Sequence, residues 1–246
     1  MAIVTFRAAT DTPRVEACNI KSMNRRFWWP AIVAVACSAC IPHTIATTAQ
    51  PVPKGETAPV LIWYSIPNGI EVMRDSNIAW LGVDAEVRHG VSDRADVGIR
   101  IPSGTGIVAN YKYRLTRNPD HQAPALAVMG GGGFVNLGNH AYFEGTVLAS
   151  GRQALFTPYG GLHAGQTLPL SHQAKWDSPT AGGFAGLRIG KEQLGVSVEV
   201  GVYYDRSSLG AHSSDVIVVP ALVIHGEDLI DGITRVLGGA GPRRRG

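Results

Sequence analysis

The stretch LGVDAEVR, residues 81–88, decides the fold. Leu81, Val83, Ala85 and Val87 fall on one side of an extended chain, and Gly82, Asp84, Glu86 and Arg88 on the other. The next segment, RADVGIRI (94–101), sorts in the same way, with Ala95, Val97, Ile99 and Ile101 against Arg94, Asp96, Gly98 and Arg100. A third, ANYKYRL (109–115), sets Ala109, Tyr111, Tyr113 and Leu115 against Asn110, Lys112 and Arg114. Across the three, twelve positions on one face are all apolar, and the eleven opposite hold eight charges, two glycines and an asparagine. A helix scatters such residues around its circumference; only a period of two sorts them. These are β-strands.

The links HGVSD and PSGTG are short and rich in hairpin formers. The alternation returns, less cleanly, over 124–134, 139–149, 153–165, 182–190, 194–204 and 215–225. In LGVSVEVGVYY the valines from Val196 to Val202 face away from Ser197, Glu199 and Gly201. A further strand is expected at 60–66, ahead of Pro67-Asn68-Gly69, and a short helix at 227–237. The count is eight to ten strands. Thirty glycines suit strands that bend and pack closely.

Alternation alone leaves open which face is inside. In a soluble sandwich or a lipocalin-like barrel the apolar face is the interior. In a membrane barrel the apolar face meets lipid and the polar face lines the lumen. Charge balance favours the second. Asp84, Glu86, Asp96, Glu144 and Glu199 stand against Arg88, Arg94, Arg100, Lys112, Arg114 and Arg188, five negative and six positive. A narrow lumen needs such neutrality, because an unpaired buried charge is costly; these eleven are the candidate lumen ion-pair residues. Glycines interleaved with long charged side chains fit a small barrel filled by alternating sizes. Trp63, Tyr64, Trp80, Tyr142, Phe143, Phe156, Tyr159, Tyr203 and Tyr204 sit toward strand ends, where interfacial girdles are found. The expected fold is an all-β, antiparallel up-and-down barrel, with a sandwich or lipocalin-like soluble barrel as the alternative.

The amino-terminal part carries a different signal. In MNRRFWWPAIVAVACSAC (23–40), Arg25 and Arg26 precede ten apolar residues from Phe27 to Ala36. That run is too short for a spanning helix, which takes about 20 residues, and has the layout of a secretory signal. The tract Ala34-Val35-Ala36-Cys37 resembles the lipobox of bacterial lipoproteins, which makes Cys37 the candidate acylated residue. Residues 1–22 sit oddly ahead of a signal and read as a mis-assigned start, with Met23 the initiator. Cys37 and Cys40 are a poor fit to redox or zinc chemistry: no βαβ context surrounds them, and a structural zinc takes four ligands. Residues 37–59, rich in Pro, Thr and Ala, read as a flexible tether, 60–226 as the barrel domain, and 227–246 as a short helix and basic tail.

The chain has 22 basic and 19 acidic residues. Five and two of these lie within residues 1–36, leaving seventeen of each. No persistent basic patch suggests a nucleic-acid surface.

RHGVSDRADVGIRI, YKYRL, FTPYGGLHAG and GFAGLRIGKEQLGVSVEVGVYY together resemble the small outer-membrane β-barrel proteins of Gram-negative bacteria. The likeness covers residues 60–225 and lies in strand–turn–strand texture and a Pro-Tyr-x-Gly-x-x-x-Gly strand. It implies an outer-membrane location, membrane lipid as partner and a structural or accessory role. The alternative is a lipid-anchored periplasmic module holding an apolar ligand, or serving an envelope protein; a lipid-modifying enzyme ranks third.

Enzyme signals are weak. GTGIVA (104–109) fits a loose dinucleotide pattern but leads into a strand instead of the helix that must hold a pyrophosphate. GGGG (130–133) lacks the Lys-Ser/Thr of a phosphate loop. His212-Ser213-Ser214-Asp215 is a sequence-adjacent cluster, and nucleophile, base and orienting group must converge in space. His140 and His163 have no second ligand at metal spacing. No catalytic residue, metal or cofactor is expected.

Overall fold

A computed structural model describes residues 41–66, 80–118, 123–172, 174, 176–190, 195–206 and 215–226. The proposed start, signal, Cys37 and the 227–237 helix lie outside these residues. Ten strands close into one antiparallel barrel, each paired with its sequence neighbours and β1 with β10. They are β1 (Thr57–Ile66), β2 (Trp80–Ser92), β3 (Ala95–Pro102), β4 (Ile107–Arg114), β5 (Ala125–Val135), β6 (His140–Ser150), β7 (Phe156–Pro169), β8 (Thr180–Gly190), β9 (Gly195–Tyr204) and β10 (Val216–His225). Every expected strand is present, with ends shifted by a few residues. The barrel starts at Thr57, three residues before the expected boundary. GTGIVA is the β3–β4 turn running into β4, and GGGG lies inside β5. No helix of the described residues is long and apolar enough to cross a membrane, which has no bearing on strands.

Closure removes the free edges that an open sheet would expose. The wall then has an outside and an inside, and the side chains divide between them by the same period of two. Leu81 is 73% exposed and Ile99 57%, whereas Glu86 and Lys112 between and beside them are buried. The pattern runs round the circumference: Val83 and Val87 on β2, Val128 on β5, Leu162 on β7, Val198 on β9 and Val218 on β10 all point out. The soluble alternatives, with apolar faces inside, do not describe this wall.

The inner surface is not uniformly polar. β2, β3 and β4 line the lumen with charge. Val60, Ile62, Tyr64 and Ile66 of β1 meet Ile217, Val219, Ala221 and Val223 of β10 as an apolar inner panel. Those two strands are apolar on both faces, which is why their sequences alternate so poorly.

Four aromatics expected in an outer girdle are inside. Tyr64, Tyr142, Tyr159 and Tyr203 are buried in the lumen, while Trp63, Phe143, Phe156 and Tyr204 face out. Each lumenal tyrosine lies over a glycine. Tyr64 pairs with Gly82, Tyr159 with Gly186 and Tyr203 with Gly182 across neighbouring strands. A β-carbon on any of these glycines would fall within 2.6 Å of the ring above it. Tyr142, whose own cross-strand partner is Thr167, reaches back over Gly165, where a β-carbon would lie 2.7 Å from its hydroxyl and 3.0 Å from its ring. The ring fills the volume that the glycine leaves, so the wall curves without a void.

The tether expected over 37–59 is corrected by the structure for residues 41–56. Instead of extending into solvent, residues 41–50 are almost wholly buried inside the barrel. Ile41 packs on Val108, Val135 and Tyr142, at the mouth where β4 begins and β5 ends. At the opposite mouth the Val52 amide donates to Asp96 near the start of β3, 2.8 Å away. Residues 41–53 therefore thread the lumen from end to end as a strap. The chain reverses at Pro53–Glu56, where Gly55 adopts φ +85 and its amide donates to the Gly90 carbonyl at 2.8 Å; glycine adopts this left-handed conformation at little cost. The physical reason for the strap is girth: eight strands enclose a space that wall side chains can fill, and ten enclose more.

Candidate functional site in the barrel lumen

The lumenal charges of β2–β4 form one network. The Glu86 carboxylate accepts from Arg88 at 2.5 Å and from Arg100 at 2.7 Å. Arg88 also donates to Asp96 through Nε at 3.0 Å and through Nη2. Lys112 stands 3.1 Å from the other Asp96 oxygen. Asn110 accepts a bond from Arg88 at 2.8 Å. Room for the Arg88 guanidinium comes from Gly98, directly across in the pairing; a β-carbon there would lie 2.8 Å from its Nη1. Cross-strand register explains the assembly: Glu86 pairs with Arg100 and Asp96 with Lys112, so opposite charges are built side by side.

Of the eleven candidates, the structure thus brings together Glu86, Arg88, Asp96, Arg100 and Lys112. The other six stand elsewhere. Asp84 is buried and accepts from the Ser103 amide at 3.0 Å. Arg114 donates to the Gln50 side chain at 3.0 Å. Arg94 lies at the barrel rim, donating to the Arg114 carbonyl at 2.9 Å and stacking over Tyr113. Glu144 is half-buried beside the Tyr142 hydroxyl, which donates to it at 3.4 Å. Arg188 is half-buried at the lumen wall. Glu199 is met by backbone amides and by the Tyr159 hydroxyl, at 2.8, 2.9 and 3.0 Å.

The strap is what these charges hold. Arg100 donates to the carbonyls of Thr44 and Ile45 at 2.5 and 3.1 Å. Lys112 donates to the carbonyls of Thr48 and Gln50 at 3.0 and 2.8 Å and to the Thr47 hydroxyl at 2.8 Å. Glu199 takes the consecutive amides of Ile45 and Ala46. Ala46 has φ +55, a left-handed conformation that costs a non-glycine residue roughly 1–2 kcal/mol. Here it aims two neighbouring N–H groups at one carboxylate, the geometry of an anion-binding nest. Apolar contacts complete the seat: Ile45 and Ala49 pack among Ala125, Ala127, Leu148 and Phe184.

Toward the far mouth His43 faces Asp205 at 3.7 Å and packs near Tyr203. His163 bonds the Thr146 hydroxyl at 2.9 Å. Among the described residues no group of three metal-ligating side chains could hold an ion. Of the His212–Asp215 cluster only Asp215 is described, and it is exposed near Arg206. A residual cavity of about 190 Å³ remains between strap and wall, lined in part by Thr47, Gln50, Arg188 and His225.

None of the strap's roles was foreseen from the sequence. One signal was present: Ile41 to Pro53 contains no Asp, Glu, Lys or Arg. A solvated tether has no need to avoid charge, and a segment seated against a neutralised lumen does.

No family model and no curated protein matches the sequence. Solved structures do match. An outer membrane channel from Pseudomonas putida F1 is 11% identical, with a TM-score of 0.46 over 74% of this chain and 99% of that one. The outer membrane protein OprG from Pseudomonas aeruginosa is 10% identical, with a TM-score of 0.30 over 73% and 96%. Ail, the attachment invasion locus protein of Yersinia pestis, solved with sucrose octasulfate, is 14% identical, with a TM-score of 0.29 over 70% and 97%. Superpositions this loose assign no function.

Proposed function

We propose that this chain is an outer-membrane β-barrel of a Gram-negative cell envelope, with a structural or accessory role, its lumen closed by ion pairs and by its own strap. One observation carries the reading. Every strand turns large apolar side chains outward while acids and bases are buried within. Soluble monomers rarely expose contiguous apolar surface beyond a few hundred Å², and here it wraps a whole cylinder. Strands of 8 to 14 residues match the 9–11 that a tilted strand takes to cross hydrocarbon. A store for an apolar ligand does not fit an interior taken up by charge and by residues 41–53. The lipid anchor is proposed at Cys37 on its lipobox-like tract alone; incorporation of labelled palmitate that disappears in Cys37→Ala tests it.

The purified protein is expected to need detergent, to migrate faster on gels when unheated, and to show no sustained conductance in planar bilayers. A monomer that stays in solution without detergent contradicts the membrane reading. A steady ionic conductance contradicts the closed lumen.

A further inference from the structure

The lumen recognises the strap's main chain more than its side chains. Four wall residues make seven bonds to backbone groups: Glu199 to the amides of Ile45 and Ala46, Asp96 to that of Val52, Arg100 to the carbonyls of Thr44 and Ile45, and Lys112 to those of Thr48 and Gln50. Backbone groups are common to all polypeptides, so these contacts select for a chain path, with a left-handed turn at Ala46, more than for a sequence. Selectivity enters through an aliphatic seat for Ile45, small-residue seats for Ala46 and Ala49, and side-chain bonds from Lys112 to the Thr47 hydroxyl and from Arg114 to the Gln50 amide, which itself donates to the Ala123 carbonyl. Among the described residues the strap adds no strand to the barrel, and the Lys54–Gly90 bridge at the rim belongs to the turn that follows it. Its covalent link to β1 is the exposed turn Lys54–Glu56.

We propose that the lumen is a binding channel for a neutral polypeptide segment without regular secondary structure, and that residues 41–53 occupy it as an exchangeable resident ligand. The wall supplies both signs of charge, carboxylates for amides and cations for carbonyls. A segment bearing its own charges would have to bury them among groups already neutralised. A short tether gives the resident an effective concentration of order mM, so another segment competes only when that tether is cut or when it binds tighter. The proposal rests on the lumen alone and stands whether or not the barrel spans a membrane.

Two measurements test it. In the full chain, a protease site inserted between Gly55 and Glu56 allows the folded barrel to be cut at the exposed turn. A fluorescent peptide of residues 41–53 is then added in excess, both to the cut folded barrel and during its refolding from urea. Uptake approaching one peptide per barrel is expected. A Thr44→Ala, Thr48→Ala peptide should bind within about threefold of the parent, and one N-methylated at the Ile45 and Ala46 amides at least tenfold more weakly. Uptake below a tenth in both arms, or equal uptake of the methylated peptide, overturns the proposal. In the uncut protein, hydrogen exchange supplies the second readout. Amides of Ile45, Ala46 and Val52 should exchange together and at least tenfold faster than those of β2 and β3. Exchange of all of them only at the rate of the wall strands would show that the strap never leaves, and would equally overturn it.

Discussion

At the scale of single residues, the account turns on a few lumenal positions. Glu199 accepts three bonds, two of them from consecutive strap amides, so its carboxylate serves the strap. Hydrogen bonds to charged groups contribute about 1.5–3 kcal/mol each. Glu199→Gln keeps the shape, makes one terminal atom a donor facing a donor, and should destabilise by about 2–3 kcal/mol, read from the guanidinium midpoint in micelles. Arg100→Met leaves Glu86 short of a partner and two strap carbonyls without donors, and should cost more, about 3–5 kcal/mol. Glycines offer a matched pair. A β-carbon on Gly90 would lie 2.0 Å from the Pro53 carbonyl, whereas one on Gly145 would meet nothing within 4 Å. Gly90→Ala should therefore cost about 1–3 kcal/mol and loosen the strap's exit, while Gly145→Ala stays neutral or gains a few tenths. Equal effects in the two thermal denaturation curves would refute the packing described at Gly90.

At the scale of elements, the sequence was most readable where one strand face is charged and the other apolar. β2, β3 and β4 declared themselves because lumen and exterior demand opposite chemistry at successive residues. β1 and β10 did so less, since their inner faces are apolar too, and VIVVPALVIH shows no contrast for a period to reveal. Aromatic position misled for a related reason: nearness to a strand end says nothing of which side a ring takes, and Tyr64, Tyr159 and Tyr203 went inward to cover glycines on the next strand. The strap was illegible as an element. It has no periodicity, and its partners lie up to 154 residues away; only its lack of charge hinted at burial. At this scale the outer wall makes a sharp prediction. Ile99→Arg, on the outward face of β3, should lower folding stability in bilayers by about 2–4 kcal/mol, the cost of a cation near the midplane. In a soluble protein an exposed Ile→Arg change would be nearly silent.

At the scale of the whole molecule, the barrel is an inside-out protein whose core is ionic and whose skin is apolar. Its shape follows from one rule, a period of two, applied around a cylinder too wide to fill itself and therefore filled by its own chain. That rule made the barrel and most of its charged lining readable in advance, while the fill depended on a strand count that alternation does not fix. The most direct measurement is collision accessibility of spin labels on the barrel in lipid bilayers, with the native cysteines replaced by serine. Labels at Ile99, Val198 and Val218 should be relaxed strongly by oxygen and weakly by a water-soluble nickel chelate. Strong relaxation by the nickel chelate at all three would place these side chains in water and contradict the account.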